Sequence, residues 1–367
     1  MVAGSYKKIL YFCLFVLFLQ PVYSENSVSV KLNLNSIVTM LSDYDWSLSG
    51  LGSARITIKS VNNRNVKAQI SLDSYISETV FLDIYRAFIK VRFPVFRITL
   101  GKSAISWGEG FYYNAGDVIF GETAVSTDMM ENELRDNAAW LLSLYFPLGT
   151  YSFLETVVLE PELNLYELLT EDDAEPPHIS DTSYGLRTNF KIVNVEFESG
   201  YLFNGIEDSH NPYVSLQGHL LVDWYLAGSL MIPLDTEQIE DLEPKISLGL
   251  FHVISFENDS SLSFRLEGLV KPDALWEEQD ADDDTEYGLM IFPELIWKPI
   301  ESVGVFFRSV VSPIDLSSLF SLGVDWNVYS GLNIINNISI QAGEETDILR
   351  FNRDGGFAFT SGLRFIY

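Results

Sequence analysis

Basic side chains recur at alternate positions in two neighbouring segments of the chain. Arg86, Lys90 and Arg92 share one face of a segment whose opposite face carries Tyr85, and Arg97 follows after a short turn. Successive side chains of a β-strand point to opposite faces. The spacing therefore predicts a basic wall on two adjacent strands.

Arg187 and Lys191 form a second basic pair with the same alternation. Two roles are open for both groups. They attract anionic solutes, as charged side chains that line pores do, or they form ion pairs with acids on the same face, such as Glu196, Glu198 and Asp325.

The histidines show no arrangement typical of catalysis. None lies next to a recognisable nucleophile, and their spacing forms no helical metal pair. They are His178, His210, His219 and His252. We expect no enzymatic activity, no cofactor and no metal.

The chain is strongly acidic, with 51 Asp and Glu against 23 Lys and Arg and a formal net charge of −28. Such a surface repels phosphate, which argues against a nucleic-acid partner. Many acids fall in three clusters that are typical of solvated loops. The clusters are Glu171, Asp172, Asp173 and Glu175; Glu237, Glu240, Asp241 and Glu243; and Glu277, Glu278, Asp280, Asp282, Asp283, Asp284 and Glu286. Asp280, Asp282 and Asp284 have the spacing of a calcium loop but lack its glycine.

The densest motif joins glycines, aromatic residues and two polar residues. It comprises Gly101, Trp107, Gly108, Gly110, Asn114, Asp117 and Phe120. Glycine permits sharp bends, so the motif predicts a turn where a strand leaves the sheet. The rings of Trp107, Phe111, Tyr112 and Tyr113 suit an interfacial girdle, packing within a loop, or a stacking platform for sugars.

The N-terminus has the pattern of a secretory signal peptide. Lys7 and Lys8 precede an apolar run, and Val22 and Ser24 occupy the small-residue positions before cleavage. The run is too short to cross a bilayer core of about 30 Å as a helix. We predict a signal peptide at 1–24 and a single β-barrel domain at 25–367.

Eighteen segments alternate with period two, and no stretch after the signal approaches the length of a transmembrane helix. Because hydrocarbon tolerates only helices and closed barrels, membrane insertion would require a barrel. The segments are 27–40, 53–61, 66–76, 81–93, 95–103, 138–146, 151–160, 183–191, 195–204, 213–221, 224–232, 245–256, 261–270, 286–297, 302–312, 319–328, 331–343 and 356–367.

Long and short connections alternate between these segments, with 77–80 as a short exception. Short turns on one side and longer loops on the other are typical of outer-membrane barrels. We predict an all-β, transmembrane, antiparallel up-and-down barrel of eighteen strands, or sixteen if pairs around 53–76 or 213–232 are misassigned. The long connections are 41–52, 104–137, 161–182, 205–212, 233–244, 271–285, 313–318 and 344–355.

The two faces of the segments differ in polarity. Leu322, Val324, Trp326 and Val328 alternate with polar residues such as Asp325. An apolar outer face and a hydrated lumen follow. The segment 104–137 is long enough to fold inward and narrow the pore.

The last segment supplies a resemblance. Phe359, Leu363, Phe365 and Tyr367 lie on one face of a strand that ends the chain, which resembles the closing strand of bacterial outer-membrane β-barrels. The resemblance implies location in the bacterial outer membrane, contact with its lipid, and recognition of this strand by the barrel assembly machinery.

The glycine and aromatic motif, continuing to Arg135 and the strand 138–146, resembles a segment of alginate-export and capsule-assembly barrels. That resemblance covers about 65 residues and implies passage or binding of saccharides or small solutes. Alginate-export barrels have a strongly basic pore, whereas this chain is short and acidic. Together these features predict a porin-like channel for passive diffusion of small hydrophilic solutes. The alternative is a surface binding or structural protein, such as an adhesin or polysaccharide-binding protein, anchored by its barrel.

Overall fold

The structure is a computed structural model of the 367-residue chain. It describes residues 26–40, 45–60, 65–76, 80–126, 129–131, 133–161, 178–234, 242–282, 285–350 and 356–367. The predicted signal peptide at 1–24 lies outside these ranges. Within them, no helix is long and apolar enough to cross a membrane.

The described residues form one sheet of eighteen antiparallel strands, which confirms the predicted fold and rules out sixteen. Each strand pairs with its neighbours in sequence, and β1 also pairs with β18, so the sheet closes into a barrel. The strands are β1 (Asn26–Met40), β2 (Trp46–Ser60), β3 (Val66–Ile76), β4 (Val80–Arg92), β5 (Arg97–Ala104), β6 (Ala138–Pro147), β7 (Phe153–Leu159), β8 (Ser183–Ile192), β9 (Val195–Asn204), β10 (Ser209–His219), β11 (Asp223–Pro233), β12 (Glu243–Ser255), β13 (Ser261–Val270), β14 (Leu289–Ile300), β15 (Val303–Val311), β16 (Ser318–Tyr329), β17 (Leu332–Ala342) and β18 (Phe357–Ile366).

Two predicted long connections are wrong. β2 begins at Trp46, which pairs with Met40, so the connection 41–52 shrinks to 41–45. Small and polar residues on both faces of 47–53 had obscured the strand. β10 begins at Ser209, so the connection 205–212 shrinks to 205–208. Proline is unusual within a strand, but Pro212 continues the ladder opposite Tyr201.

The remaining pattern of connections holds. The long connections 105–137, 160–182, 234–242, 271–288 and 343–356 all lie at one end of the barrel, and only short turns join the strands at the other end. Parts of these connections lie outside the described residues, including the acidic clusters at 171–175 and 237–241.

The two faces of the wall are assigned as predicted. Leu322, Val324, Trp326 and Val328 on β16 are exposed on the outer face. Polar side chains of the same strands point into the lumen, where they contact the connection between β5 and β6. The buried hydrophobic clusters also lie in the lumen, because they join residues of that connection to inner-wall residues.

Candidate functional site

The connection 105–137, called here the inner loop, folds into the barrel and follows its inner wall. From its start to its end it contacts β8, β9, β10, β13, β12, β15, β1 and β4 through side-chain hydrogen bonds and ion pairs. The loop therefore makes a nearly complete circuit of the lumen. A pore-constricting role for 104–137 stays a prediction.

The first anchor joins the start of the inner loop to the wall at β8 and β9. Arg187 donates a 2.9 Å hydrogen bond to the carbonyl of Ser106, and the N–H of Gly108 donates a 2.7 Å bond to Glu198. Arg187 also forms ion pairs with Glu198 at 3.2 Å and with Glu155 at 2.7 Å. The two strands thus hold both a main-chain acceptor and a main-chain donor of the loop.

The second anchor is a single carboxylate on β13. Glu267 is 1% exposed and accepts main-chain N–H bonds from Phe111, Tyr112 and Tyr113 at 3.1, 2.8 and 3.0 Å. Three consecutive N–H groups on one carboxylate form an anion nest supplied by the loop itself. The loop therefore neutralises part of a charge that would otherwise be buried at high cost.

The third anchor is Arg308 on β15, also 1% exposed. Its Nε pairs with Glu294 at 2.7 Å, and its Nη1 donates to the carbonyls of Met129 and Glu131, at 2.8 Å for Glu131. A guanidinium provides five donors in a fixed fork, so one side chain serves both the wall and the loop.

The fourth anchor lies at the end of the inner loop, where Asp136 pairs with Arg86 and accepts a hydrogen bond from the Tyr85 hydroxyl. Here the predicted opposite faces for these two neighbours are wrong. Ser71 pairs with Arg86 and the next register position pairs Leu72 with Ile84, so Tyr85 is the extra residue of a β-bulge. The bulge lets both side chains reach the loop.

The predicted motif residues give the inner loop its shape. The Asn114 amide donates to the carbonyl of Trp107 at 2.9 Å, and Arg135 pairs with Asp117 at 2.6 Å. Gly108 and Gly110 have φ of 68° and 155°, and a Cβ on Gly108 would meet the backbone of Gly116. Gly101 lies within β5 with φ of 113°, and the N–H of Phe120 lies 3.4 Å from Asp117.

Burial raises the pKa of Asp117, although the Arg135 guanidinium opposes the change. Of the three roles considered for the motif's aromatic rings, the contacts favour packing, which here joins the inner loop to the wall. Trp107 and Tyr113 are 0% and 1% exposed, and the Tyr112 ring stacks on Phe292 at a centroid distance of 4.3 Å. The Trp107 and Tyr113 rings are covered by protein, so they do not lie in an interfacial girdle.

A polar cavity of about 540 Å³, called here the eyelet cavity, remains between the inner loop and the wall. It lies between loop residues 126–137 and the strands β1–β4, β17 and β18. Ion pairs cross or border it: Lys31 with Glu131 at 3.2 Å, and Arg55 with Asp73 at 2.6 Å.

A smaller cavity of about 260 Å³ lies on the other side of the inner loop, next to the short turns of β8–β13. Glu109 of the loop reaches it and accepts a 2.7 Å hydrogen bond from Gln217. Burial, followed by repulsion from Glu198 and Glu196, raises the pKa of Glu109 to about 7.

An ion cluster ties the inner loop to the long connections. Glu122 is bound by Lys271 at 2.6 Å and by Lys245 at 3.3 Å, and Lys271 also pairs with Glu286 at 2.9 Å. Burial alone would raise the pKa of Glu122, but the two ammonium groups lower it to about 2.

The predicted basic residues fall into two groups. Arg86, Arg187 and Lys191 form ion pairs, the last with Glu196 at 3.0 Å. Lys90, Arg92 and Arg97 have no ion-pair partner among the described residues.

These three cations lie on the inner face near the short turn between β4 and β5. Lys90 pairs in register with Lys67 of β3, and Arg92 pairs with Arg97. The Arg97 guanidinium lies over the Tyr145 ring at 3.8 Å. The inner wall is thus basic at this end.

No histidine bonds to the inner loop within the described residues, although His219 borders the smaller cavity that Glu109 reaches. His219 pairs with Asp223 at 2.8 Å beside a short turn, and His210 contacts Tyr201 on the outer face. His252 packs near Phe264, and His178 precedes the 3₁₀ turn Ile179–Asp181. In the part of the chain that the structure describes, no group of histidines and acids is arranged to hold a metal ion.

The predicted calcium loop stays untested as a unit because Asp284 lies outside the described residues. Asp282 accepts a 2.6 Å hydrogen bond from Thr285 within a local turn. The predicted closing strand β18 pairs with β1 and β17 and presents Leu363 and Tyr367 on the outer face, where the Phe365 and Tyr367 rings stack.

Sequence reasoning missed the loop anchors Glu267 and Arg308, and Glu294, which pairs with Arg308. Each is a charged residue on the polar face of a strand, so the period-two pattern placed them in the lumen without marking them as special. A sharper signal existed: Arg308 interrupts the apolar run of β15, where an unpaired buried charge would be very costly.

The fold thus places the protein in the class of closed eighteen-strand β-barrels whose lumen is narrowed by one inward connection. No protein-family model matches the sequence, and no curated protein matches it significantly. Solved structures do share the fold. Acinetobacter baumannii OccAB1 has a TM-score of 0.59 at 9% identity, over 94% of this chain and 98% of that one.

Two further structures show the same likeness. Acinetobacter baumannii OccAB3 matches with a TM-score of 0.57 at 6% identity, covering 94% of this chain and 99% of that chain. The outer membrane protein OprD from Pseudomonas aeruginosa matches with a TM-score of 0.56 at 8% identity, covering 94% of each chain. At these identities the likeness shows the fold.

Proposed function

We propose that the protein is a porin-like channel of the bacterial outer membrane through which small hydrophilic solutes diffuse passively. The observation that carries this proposal is the course of the inner loop, which follows the inner wall and leaves a polar cavity of about 540 Å³ beside it. A loop whose purpose was to fill the barrel would have no reason to leave a hydrated space lined by charges and amides.

The membrane location is supported by three features. Apolar side chains cover the outer face of the strands, the N-terminus has a signal-peptide pattern, and OprD, which shares the fold, is an outer membrane protein. We further propose that Phe359, Leu363, Phe365 and Tyr367 are read by the barrel assembly machinery and then contact lipid.

The basic wall has a role in this account. Lys90, Arg92 and Arg97 would line the pore near the short turns and favour entry of anions, while Arg86 and Arg187 hold the inner loop and Lys191 pairs with Glu196 of β9. Neutralising the first three should lower anion permeability relative to cation permeability. Lys298→Gln, at the short-turn end of β14, controls for the loss of a cation elsewhere.

The resemblance to alginate-export and capsule-assembly barrels adds saccharides to the solutes considered. No catalytic step is part of the proposal. Liposomes containing the refolded chain 25–367 test it through their swelling in isosmotic solutions of neutral solutes of increasing size. Swelling that falls with solute size supports a pore, and swelling no faster than that of protein-free liposomes contradicts it.

A further inference from the structure

Among the described residues that line the eyelet cavity, positive and negative charges balance one another. Lys31, Arg55 and Arg364 face Asp73, Glu131 and Asp136. Lys31 pairs with Glu131, and Arg55 holds Asp73 through two hydrogen bonds of 2.7 and 2.6 Å. The two remaining charges, Asp136 and Arg364, are paired with residues outside the cavity.

Those remaining pairs join Asp136 to Arg86 and Arg364 to Asp325, the latter at 3.6 Å. An ion that entered the cavity would have to compete with a partner already in place. Removing one partner from such a pair leaves the other charge uncompensated, which is costly. The cavity is therefore poorly suited to a solute with net charge.

Neutral polar side chains also line the cavity, partly on the same strands as Lys31 and Arg364. Asn33, Asn35, Asn337, Ser339 and Thr360 belong to β1, β17 and β18 and line it together. Asn33 donates to Ser53 at 3.0 Å, and Asn337 donates to Ser339 at 3.2 Å. For the Asn35 amide and the Thr360 hydroxyl, the described chain offers no hydrogen-bond partner, so these groups remain for a solute.

An aromatic ring completes the lining. Tyr75 is 40% exposed and borders the cavity, with its hydroxyl 3.2 Å from Asp73. The neighbouring Tyr85 ring is covered by the Arg55 guanidinium at 3.3 Å. The volume of about 540 Å³ lies within the range of about 300–1,000 Å³ that small-molecule sites occupy.

We propose that the eyelet cavity binds uncharged saccharides of one or two rings during their passage, an inference that rests on the proposed channel function. Each sugar hydroxyl both donates and accepts, so it can bond to a carboxylate, a guanidinium or an amide without disturbing their ion pairs. The amides of Asn35 and Asn337 and the Tyr75 ring match the polar edge and the apolar face of a sugar ring.

Single-channel recording on the refolded chain 25–367 in planar bilayers tests this inference, with maltose, glutamate or arginine added to one side. Maltose should interrupt the ion current in a concentration-dependent way, and the two charged solutes should have weaker effects. If glutamate or arginine interrupts the current and maltose does not, the saccharide inference is wrong while the channel stands. If swelling and current are both absent, the channel function itself fails.

Two substitutions that preserve side-chain volume refine the test. Asn35→Leu and Thr360→Val each remove one hydrogen-bonding group and should weaken maltose interruption about fivefold. Asn189→Leu makes the same chemical change on β8, outside the eyelet cavity, and should leave the maltose interruption unchanged. Equal maltose interruption in all four proteins would overturn the proposed site, and normal open-channel steps in each variant would show that it had folded.

Discussion

The carboxylate of Glu267 on β13 accepts a 2.8 Å hydrogen bond from the main-chain N–H of Tyr112, 155 positions earlier in the chain. It also accepts the N–H of the residues on either side of Tyr112. A buried acid of the wall and a turn of the inner loop therefore satisfy one another. The course of the loop is fixed by a buried carboxylate that would lack hydrogen-bond donors, at a high cost in free energy, if the loop were elsewhere.

Replacing Glu267 with Gln should loosen the inner loop. The amide has one acceptor oxygen in place of two, so at least one loop N–H loses its partner, at a cost of about 1–3 kcal/mol. We expect larger open-channel current noise in planar bilayers. Glu301→Gln, exposed in the turn before β15, is the matched control. Identical noise in both variants would mean that this carboxylate does not hold the loop.

Replacing Arg308 with Met should destabilise both the wall and the loop. Glu294 would keep only Arg265, at 3.3 Å, and the carbonyls of Met129 and Glu131 would lose their donor. Breaking a buried ion pair costs about 3–5 kcal/mol. The temperature at which the folded band converts to the unfolded band on a gel should fall clearly.

Arg92→Met is the control for that experiment, because Arg92 is exposed on the inner wall. The unfolding temperature of Arg308→Lys should lie between those of Arg308→Met and Arg92→Met. The lysine ammonium keeps the positive charge but lacks the forked set of donors of the guanidinium. An unfolding temperature of Arg308→Met equal to that of Arg92→Met would contradict the assigned role.

Glu109 should make the inner loop sensitive to pH near neutrality. Its pKa is raised from 4.5 to about 7, first by burial and then by Glu198 and Glu196, while Arg187 and Gln217 oppose the change. The folded state thus binds a proton more tightly than the unfolded state. The stabilisation is complete below about pH 4.5 and is lost as pH rises through about 7.

Current noise should accordingly increase between about pH 5 and pH 8, as the ionised Glu109 is repelled by its acidic neighbours. Glu109→Gln should remove this dependence and retain the bond to Gln217 through its amide oxygen. A pH profile that is the same in both proteins would show that another group titrates.

Glu122 should have the opposite pH dependence. Its pKa is lowered from 4.5 to about 2 because Lys245 and Lys271 outweigh the effect of burial. Its contribution to stability is present above about pH 4.5 and is lost as pH falls towards 2. Glu122→Gln should unfold at a lower temperature than the unchanged chain at neutral pH and at nearly the same temperature near pH 2.

Glu277→Gln, exposed in the connection 271–288, controls for the loss of one acid in that experiment. If the stability difference between the unchanged chain and Glu122→Gln persisted at low pH, the ion cluster would not be its source.

The strands were predictable because each of them alternates apolar side chains on the outer face with polar side chains that face the lumen. The alternation is weak at 47–53, so the start of β2 at Trp46 was missed. The bulge at Tyr85 was also invisible, because inserting one residue alters the partner register and leaves the sequence pattern intact.

The length and the glycines of the inner loop made a long, sharply bent connection predictable. The wall residues that anchor the loop were not predictable. Glu267 and Arg308 meet the loop across more than 150 positions, and no local pattern encodes such a meeting. The pairing of Arg187 with Glu198 was one of two open alternatives, because alternation places both side chains in the lumen and leaves their contact undetermined.

The most direct test of the central claim is the single-channel conductance of the refolded chain 25–367 in planar bilayers. The account predicts discrete open steps whose amplitude increases when Glu267→Gln frees the inner loop, since that loop narrows the lumen. A correctly folded, heat-modifiable barrel that shows no steps, with or without that substitution, would contradict it.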